Sequence, residues 1–328
     1  MPTSSPHPFA ALTPDTLLDA VETTGLRCDG RFLALNSYEN RVYQLWEEDG
    51  TPLVAKFYRP ARWSDAAILE EHDFCAELVG YEIPVVAPLA IEGRTLHEAK
   101  GFRFALYPRR GGRSPELDDP ATLEWIGRFL GRIHAVGRVK AFAHRPELTL
   151  SSFGEEPRAW LLEHDFIPPD LLAPWTAIVD LALTGVLRAF ERAGDVQILR
   201  LHGDCHAGNI LWTPDGPHFV DFDDCRSGPA IQDLWMLLSG DRASMQRQLL
   251  DVIAGYEDFA DFDPRELQLI EALRTLRLIH YSAWLARRWR DPAFPSAFPW
   301  FNTQRYWEER ILEMREQVAA MDEEPLRI

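Results

Sequence analysis

Cysteine is scarce in this sequence: four occur in 328 residues, at positions 28, 75, 205 and 225. None forms a CxxC pair, so neither a zinc ribbon nor a thioredoxin-type motif is present. So few thiols cannot staple a chain of this length, and they fit a reducing compartment, read here as cytoplasmic. Positive charge is also short. Against 51 Asp and Glu stand 34 Lys and Arg, a net charge of −17. Phosphate-backbone binding needs clustered basic residues, so nucleic acid is not an expected partner. No uncharged apolar run approaches 18 residues, so neither a spanning helix nor a membrane partner is expected. The first basic residue is Arg27 and residues 1–12 have no long apolar core, which does not read as a secretory signal. With 46% hydrophobic and 11% aromatic residues, the chain is not disordered either. What remains is an acidic globular protein, read as a monomer, with room for about two domains.

Residues 1–12 are rich in Pro and Ser and read as loose. Thr13-Pro14 is an N-cap followed by proline at the first helical position, with Leu17, Leu18 and Val21 as the apolar face and Gly25 as the stop. From Arg31 to Tyr58 the texture is that of strands. Runs at 32–35, 41–46 and 53–58 are separated by Asn36–Asn40 and by the turn Glu48-Asp49-Gly50. A helix over 66–79 follows, then strands over 83–91 and 101–107. Pro108–Arg113 (PRRGGR) is rich in breakers and reads as a linker. Beyond it the pattern is helical, over 122–136, 171–192, 230–240, 244–256, 264–290 and 303–321. A β island over 198–222 interrupts it. The expected class is α+β. A small antiparallel sheet unit with one main helix (1–107) is joined by a hinge (108–113) to a larger, mostly helical unit (114–328).

The chemistry is concentrated in His202-Gly203-Asp204-Cys205-His206-Ala207-Gly208-Asn209. Asp204 and Asn209 lie five positions apart on one loop, and Asp221 ends the next strand twelve residues later. This is the spacing by which the HRDxxxxN loop of kinases holds a base and a metal ligand. Phosphoryl transfer needs these types: a carboxylate at the acceptor hydroxyl, and an amide and a second carboxylate for Mg²⁺ at the nucleotide phosphates. In the first unit, Lys56 is the one charge in the strand Val54-Ala55-Lys56-Phe57 and suits the α/β-phosphates. Its helical partner is Glu70 or Glu71. Periodicity favours Glu71, three after Ile68 and four before Cys75. No GxGxxG separates the first two strands; instead Ser37 and Asn40 stand ready to donate to phosphate oxygens. Asp233 opens a helix, either as a favourable dipole charge or as a buried brace for the catalytic loop. Asp223 and Asp224 could assist a second metal but read better as an exposed charge run, His134 reads as a packed or capping residue, and Trp284 and Trp289 could line an acceptor groove but read better as core.

The segments GRFLGRIHAVG (127–137), LHGDCHAGNILW (201–212), FVDFDD (219–224) and GPAIQDLWMLL (228–238) resemble the aminoglycoside phosphotransferase and choline kinase superfamily, which has the protein-kinase-like two-lobe fold. LNSYENRVYQ (35–44), KFYRPARW (56–63), DLWMLLSGD (233–241) and RRWRDPAFP (287–295) resemble, more closely, a bacterial branch of serine/threonine protein kinases acting in stress response. The resemblance implies Asp204 as catalytic base, Asp221 as a second catalytic residue, and Asn209 and Asp221 as Mg²⁺ ligands. It implies ATP as co-substrate, with Ser37 and Lys56 at its phosphates and Leu106-Tyr107 at the adenine. The phosphate acceptor would be a protein Ser or Thr, this chain itself included. Two features depart from ordinary protein kinases. Asp221-Phe222-Asp223 replaces DFG, and no APE motif follows, so regulation by an activation-loop phosphosite is not expected.

A small-molecule hydroxyl kinase shares all of this chemistry and changes only the acceptor. A metallophosphatase would use His202, Asp204, His206 and Asn209 but needs ligands from several strand ends and leaves Lys56 idle. A pseudokinase would bind ATP without transfer.

Overall fold

The computed structural model describes residues 7–328; the opening half of the Pro/Ser-rich start, residues 1–6, lies outside the described residues. Helix α1 (Pro14–Glu22) is capped by Thr13, whose Oγ1 accepts the Thr16 N–H at 3.2 Å. Strands β1 (Cys28–Ala34), β2 (Arg41–Glu47) and β3 (Pro52–Phe57) follow, then α2 (Asp65–Gly80), β4 (His97–Ala99) and β5 (Phe102–Pro108). They form one antiparallel sheet in the order β1-β2-β3-β5-β4. Its inner face packs Leu45, Ala55, Phe57, Phe104 and Leu106 against Leu17 and Val21 of α1.

Residues 83–91 do not form the expected strand. Pro84 and Pro88 remove two ladder donors. The segment instead bridges the two halves: Val86 donates to Phe219 O, Phe219 donates to Pro84 O, and Leu89 donates to Leu106 O.

The second half contains α3 (Pro120–Gly137), α4 (Glu156–Glu163), α5 (Pro169–Ala193), β6 (Leu199–Leu201), β7 (Ile210–Thr213), β8 (Gly216–Phe219), β9 (Arg226–Gly228), α6 (Ile231–Trp235), α7 (Arg242–Tyr256), α8 (Ile270–Arg288), α9 (Ala293–Ala297) and α10 (Gln304–Ala320). The α+β class with a small sheet unit and a larger helical unit is therefore as expected. Expected strand and helix edges move where local chemistry intervenes. Residues 264–269 form a 3₁₀ turn, capped by Asp263 ahead of Pro264, rather than the start of α8. The glycines of GRFLGRIH have a packing role. A Cβ on Gly127 would sit 2.1 Å from Val252 O, and one on Gly131 2.5 Å from Tyr256 O, so α3 and α7 cross at backbone distance. Helix α5 departs from the sequence expectation. It is long and apolar enough to cross a membrane by length and composition, although Asp180 interrupts it. One face of it, Trp175, Val179 and Ala182, packs with α8 and α10 around Trp307.

Candidate active site

A cleft of about 420 Å³ runs between the sheet and the helical half. Its walls are apolar, with Val42 and Val54 on one side and Leu211 and Val220 on the other. Ser37, Lys56, Glu71, Tyr107, Asn209 and Asp221 also line it. Leu106 does not: it is fully buried in the sheet core, and its carbonyl is taken by Leu89. Asn40 is also turned away, accepting the Arg59 N–H on Oδ1 at 3.0 Å.

Lys56 is buried and meets three acids: Asp221 at 3.0 Å, Asp223 at 3.2 Å and Glu71 at 3.7 Å. Burial works against its ammonium, but Asp221, Asp223 and Glu71 outweigh that and hold its pKa well above the ordinary lysine value. Burial pushes the Glu71 carboxyl up to about 7, with Lys56 opposing and Asp223 reinforcing. Glu70 is used elsewhere; its carboxylate accepts the N–H groups of Ala143, His144 and Arg145 at 2.5–2.8 Å.

Asp223 and Asp224 are not the exposed run expected from the sequence. Asp223 is 3% exposed. It pairs with Arg62 and Lys56, while Asp224 pairs with Arg62 and Arg226 at 2.8 Å each. Arg145 completes this charged layer, donating to Cys225 O at 2.8 Å and lying 3.9 Å from Glu71. None of these arginines was singled out in the sequence, because a lone arginine in a loop looks like surface.

The loop 202–209 is held from below. Asp233, fully buried, accepts the N–H of His202 on Oδ2 and of Gly203 on Oδ1, both at 2.8 Å. His134 bonds the same Oδ2 at 3.1 Å and Tyr256 OH at 3.0 Å, so it belongs to this brace rather than merely capping its helix. The brace reading of Asp233 is thus the one the geometry carries. His202 spends both ring nitrogens inside the fold, Nδ1 accepting the Asp204 N–H and Nε2 bonding Val220 O at 2.9 Å. It is no metal ligand. Among the described residues no group of three or more His, Cys, Asp or Glu side chains is set to hold a metal.

Asp204 itself sits under Arg277, whose Nη1 donates to Oδ1 at 2.6 Å, with His206 3.5 Å from Oδ2. Burial pushes the Asp204 carboxyl up, but hydrogen bonding to His206 and the Arg277 charge outweigh it and hold it well below the usual range. Asn209 donates through Nδ2 to Asp204 O at 2.9 Å, which leaves its Oδ1 free. Asp221 adopts a left-handed conformation (φ 60°, ψ 61°), an uncommon one for a residue with a side chain. That conformation leaves its carboxylate open to the cleft while the next residue, Phe222, buries against Phe74 and His202. One amide oxygen and one carboxylate are hard oxygen donors. They fit a small divalent cation such as Mg²⁺, which keeps waters and takes phosphate oxygens for its remaining positions.

A model of the phosphotransferase enzyme family matches residues 31–270. The chain belongs to that family. Stress response kinase A from Escherichia coli O157:H7 is 48% identical over 325 residues, covering 99% of this chain and 98% of the other. The serine/threonine protein kinase RdoA from Salmonella typhimurium is 48% identical over 320 residues, covering 98% and 97%. Among solved folds, the amicoumacin kinase hAmiN, in complex with AMP-PNP, Ca²⁺ and Ami, superposes with a TM-score of 0.73 at 19% identity, covering 95% of each chain. A microcompartment-associated aminopropanol kinase superposes at 0.71 with 20% identity, over 95% of this chain and 99% of the other. As a member of the phosphotransferase family the chain is a phosphate-transferring enzyme, a kinase, with that family's fold.

Beside the cleft lies a network that sequence reasoning missed. The loop 36–41 is tied to the end of α8 and the turn beyond it. Asp291, 3% exposed, accepts Arg41 at 2.9 and 3.0 Å and Arg59 at 2.6 Å. The Glu39 carboxylate accepts Arg288 Nε at 2.9 Å and Trp284 Nε1 at 2.5 Å, and forms an ion pair with Arg59 at 2.9 Å. Three sequence segments, NSYENR, KFYRPARW and RRWRDPAFP, thereby meet in one network. Trp284 is part of it as well as packing on Phe294, whereas Trp289 packs on Phe301 as core.

Proposed function

We propose that this chain is an ATP- and Mg²⁺-dependent serine/threonine protein kinase of a stress response, with Asp204 as the base. The observation that carries the reading is the convergence of Lys56, Asn209 and Asp221 on one cleft, with the Asp204 backbone carbonyl bonded by the Asn209 amide at 2.9 Å and its carboxylate facing an adjoining cavity. The adenine would lie between the apolar walls beside Tyr107 and the hinge 108–113, which joins a nucleotide unit (1–107) to a catalytic unit (114–328). Lys56 would leave Asp221 for the α/β-phosphates, and Ser37, whose hydroxyl donates to Asn40 O here, would turn it to the phosphates from above. Asn209 and Asp221 would hold the metal. When bound, Mg²⁺ neutralises charge developing on the phosphate oxygens. Asp204 orients the acceptor hydroxyl and takes its proton as the new O–P bond forms, the γ-phosphorus to β-phosphate oxygen bond breaks and ADP departs. The AMP-PNP and Ca²⁺ bound to the amicoumacin kinase support nucleotide and divalent-cation use, and the name of the Salmonella relative supports a protein hydroxyl.

The test is phosphate transfer from labelled ATP with Mg²⁺ to the protein itself and to a generic protein acceptor. Label on Ser or Thr that falls by about 10²–10⁴ in Asp204→Asn is the expected result. Transfer only to small hydroxyl compounds would instead make this a small-molecule hydroxyl kinase, the reading to which the amicoumacin and aminopropanol kinases lend their fold. Nucleotide binding without transfer would make it a pseudokinase.

A further inference from the structure

Asp204 does not line the nucleotide cleft. It faces a second cavity of about 160 Å³, while Asn209 and Asp221 face the first. Pockets for drug-sized ligands usually span roughly 300–1,000 Å³. This one has room for a side chain and a small neighbouring group. One face of α8 builds its wall, with Arg277, His280, Tyr281 and Trp284 at the i, i+3, i+4 and i+7 spacing of a single helical stripe.

The charges there are unevenly committed. Asp224 is held by Arg62 and Arg226, and Glu39 by Arg59 and Arg288, so neither is free to receive an ammonium group. Arg277 differs. Its side chain is 38% exposed, and among the described residues its one acidic partner is Asp204. While the pair holds, the guanidinium occupies one lone pair of Oδ1 and its positive charge makes that oxygen a poorer acceptor for a hydroxyl proton. A guanidinium is always charged, and a carboxylate brought by the acceptor is a stronger replacement partner than the water that its half-exposed side chain can reach. Arg277 lines the acceptor cavity and not the nucleotide cleft, so the replacement comes from the acceptor rather than from ATP.

We infer that Arg277 reads the acceptor, selecting a Ser or Thr whose neighbour in the peptide is an acidic side chain. The inference rests on the protein-kinase reading above and adds the substrate class. On binding, the guanidinium passes from Asp204 Oδ1 to the peptide carboxylate, one ion pair replacing another. Oδ1 is then free to take the hydroxyl proton as the acceptor O–P bond forms and ADP leaves. A basic peptide gives Arg277 no partner and leaves the base occupied.

The experiment compares two peptides of equal length, one with Ser flanked by Asp and Glu, the other with Ser flanked by Lys and Arg. A charge-assisted hydrogen bond gained by only one of them predicts about a 10- to 100-fold higher kcat/KM for the acidic peptide. Arg277→Gln brings that ratio close to one, chiefly through KM, and Arg277→Lys restores part of it because the charge returns without the fork. Equal use of the two peptides by the wild type, or preference for the basic one, overturns this inference and leaves the protein-kinase reading standing. A preference undiminished in a folded Arg277→Gln also overturns it. Labelling of neither peptide, with transfer to small hydroxyl compounds intact, overturns both. The wild-type ratio decides the question even if Arg277→Gln fails to fold.

Discussion

Replacing Asp291 by Ala is the sharpest perturbation of the loop that would cover the phosphates. The carboxylate is 3% exposed and serves Arg41 through two contacts and Arg59 through one at 2.6 Å. Removing one partner of a buried ion pair costs about 3–5 kcal/mol, because a desolvated charge is left behind. The lower end applies here. Arg59 keeps Glu39 at 2.9 Å, and the Arg41 side chain is already 16% exposed and can turn to water. About 3 kcal/mol corresponds to somewhat over a hundredfold if all of it falls on the loop arrangement needed to bind ATP. The expected outcome is a rise of roughly 10- to 100-fold in KM for ATP, with kcat at saturating ATP changed far less. A fall of several degrees in Tm accompanies it. Asp291→Asn keeps the shape and loses the charge, so it falls between wild type and Ala. A Tm loss with an unchanged KM for ATP would refute the reasoning, since the network would then brace the fold without shaping the nucleotide site.

Lys56→Met takes the cation from among Glu71, Asp221 and Asp223; kcat/KM should fall by about 10²–10³, read in the labelled-ATP assay, with a lower Tm because buried Glu71 keeps only Arg145 at 3.9 Å. Gly203→Ala forces a side chain onto φ +84° with its Cβ 2.3 Å from the Asp224 carbonyl oxygen. It should lower both Tm and kcat, because the N–H of Gly203 is one of the two that Asp233 grips beneath Asp204. Stability should fall on acidification. Burial lowers His72 and His280 from 6.5 to about 3, so between those values the unfolded chain takes up protons that the folded chain refuses. Glu266 acts oppositely: burial raises it from 4.5 to about 7, so its contribution is present below 4.5 and lost as pH rises through 7. Denaturant melts should therefore change gently between pH 6.5 and 4.5 and steeply below 4.5. A stability rising on acidification from pH 4.5 to 3 would contradict the burial of both imidazoles.

The site was legible where its chemistry is contiguous in sequence. Asp204, Asn209 and Asp221 fall on one loop and the strand end after it, so spacing alone brings them together. Glu71 was legible because helical period separates inward from outward positions by one residue, whereas Asp233 was legible only as two readings, dipole charge or brace, which its bonds to the His202 and Gly203 N–H groups separate. The arginine partners were not legible. Arg41 and Asp291 are 250 positions apart, Arg277 and Asp204 are 73 apart, and a charge whose partner lies on a distant element has the local signature of a solvated one. Asp223 and Asp224 misled for that reason: acidic runs are usually exposed, and only the fold brings Arg62, Arg145 and Arg226 onto theirs. The 83–91 segment misled because its apolar run has strand texture, while Pro84 and Pro88 leave it too few donors for a ladder.

The missing glycines of the first loop are explained by the same arginines. Glycine-rich loops cradle anions by presenting backbone N–H groups unhindered by side chains, and flexibility is only one way to present them. Here the carbonyls of three consecutive residues are held outward: Tyr38 O and Asn40 O by Arg41 at 2.9 and 3.1 Å, and Glu39 O by Arg59 at 2.8 Å. In a trans peptide the N–H points opposite its carbonyl, so the N–H groups of Glu39 and Asn40 are turned away from the arginines. Ser37 Oγ closes the turn on Asn40 O at 3.1 Å, and Tyr38 packs on Phe298. Such a loop is preorganised rather than pliable, and the residue type matters. Only 3 of the 34 basic residues are lysine, with Lys56 at the site and Lys100 and Lys140 elsewhere. Holding two acids and three carbonyls at fixed angles requires the planar fork of arginine, whereas meeting a phosphate requires only a compact charge. Conservative Arg→Lys exchange at 41 or 59 should therefore loosen the loop nearly as much as losing Asp291, and KM for ATP would register it.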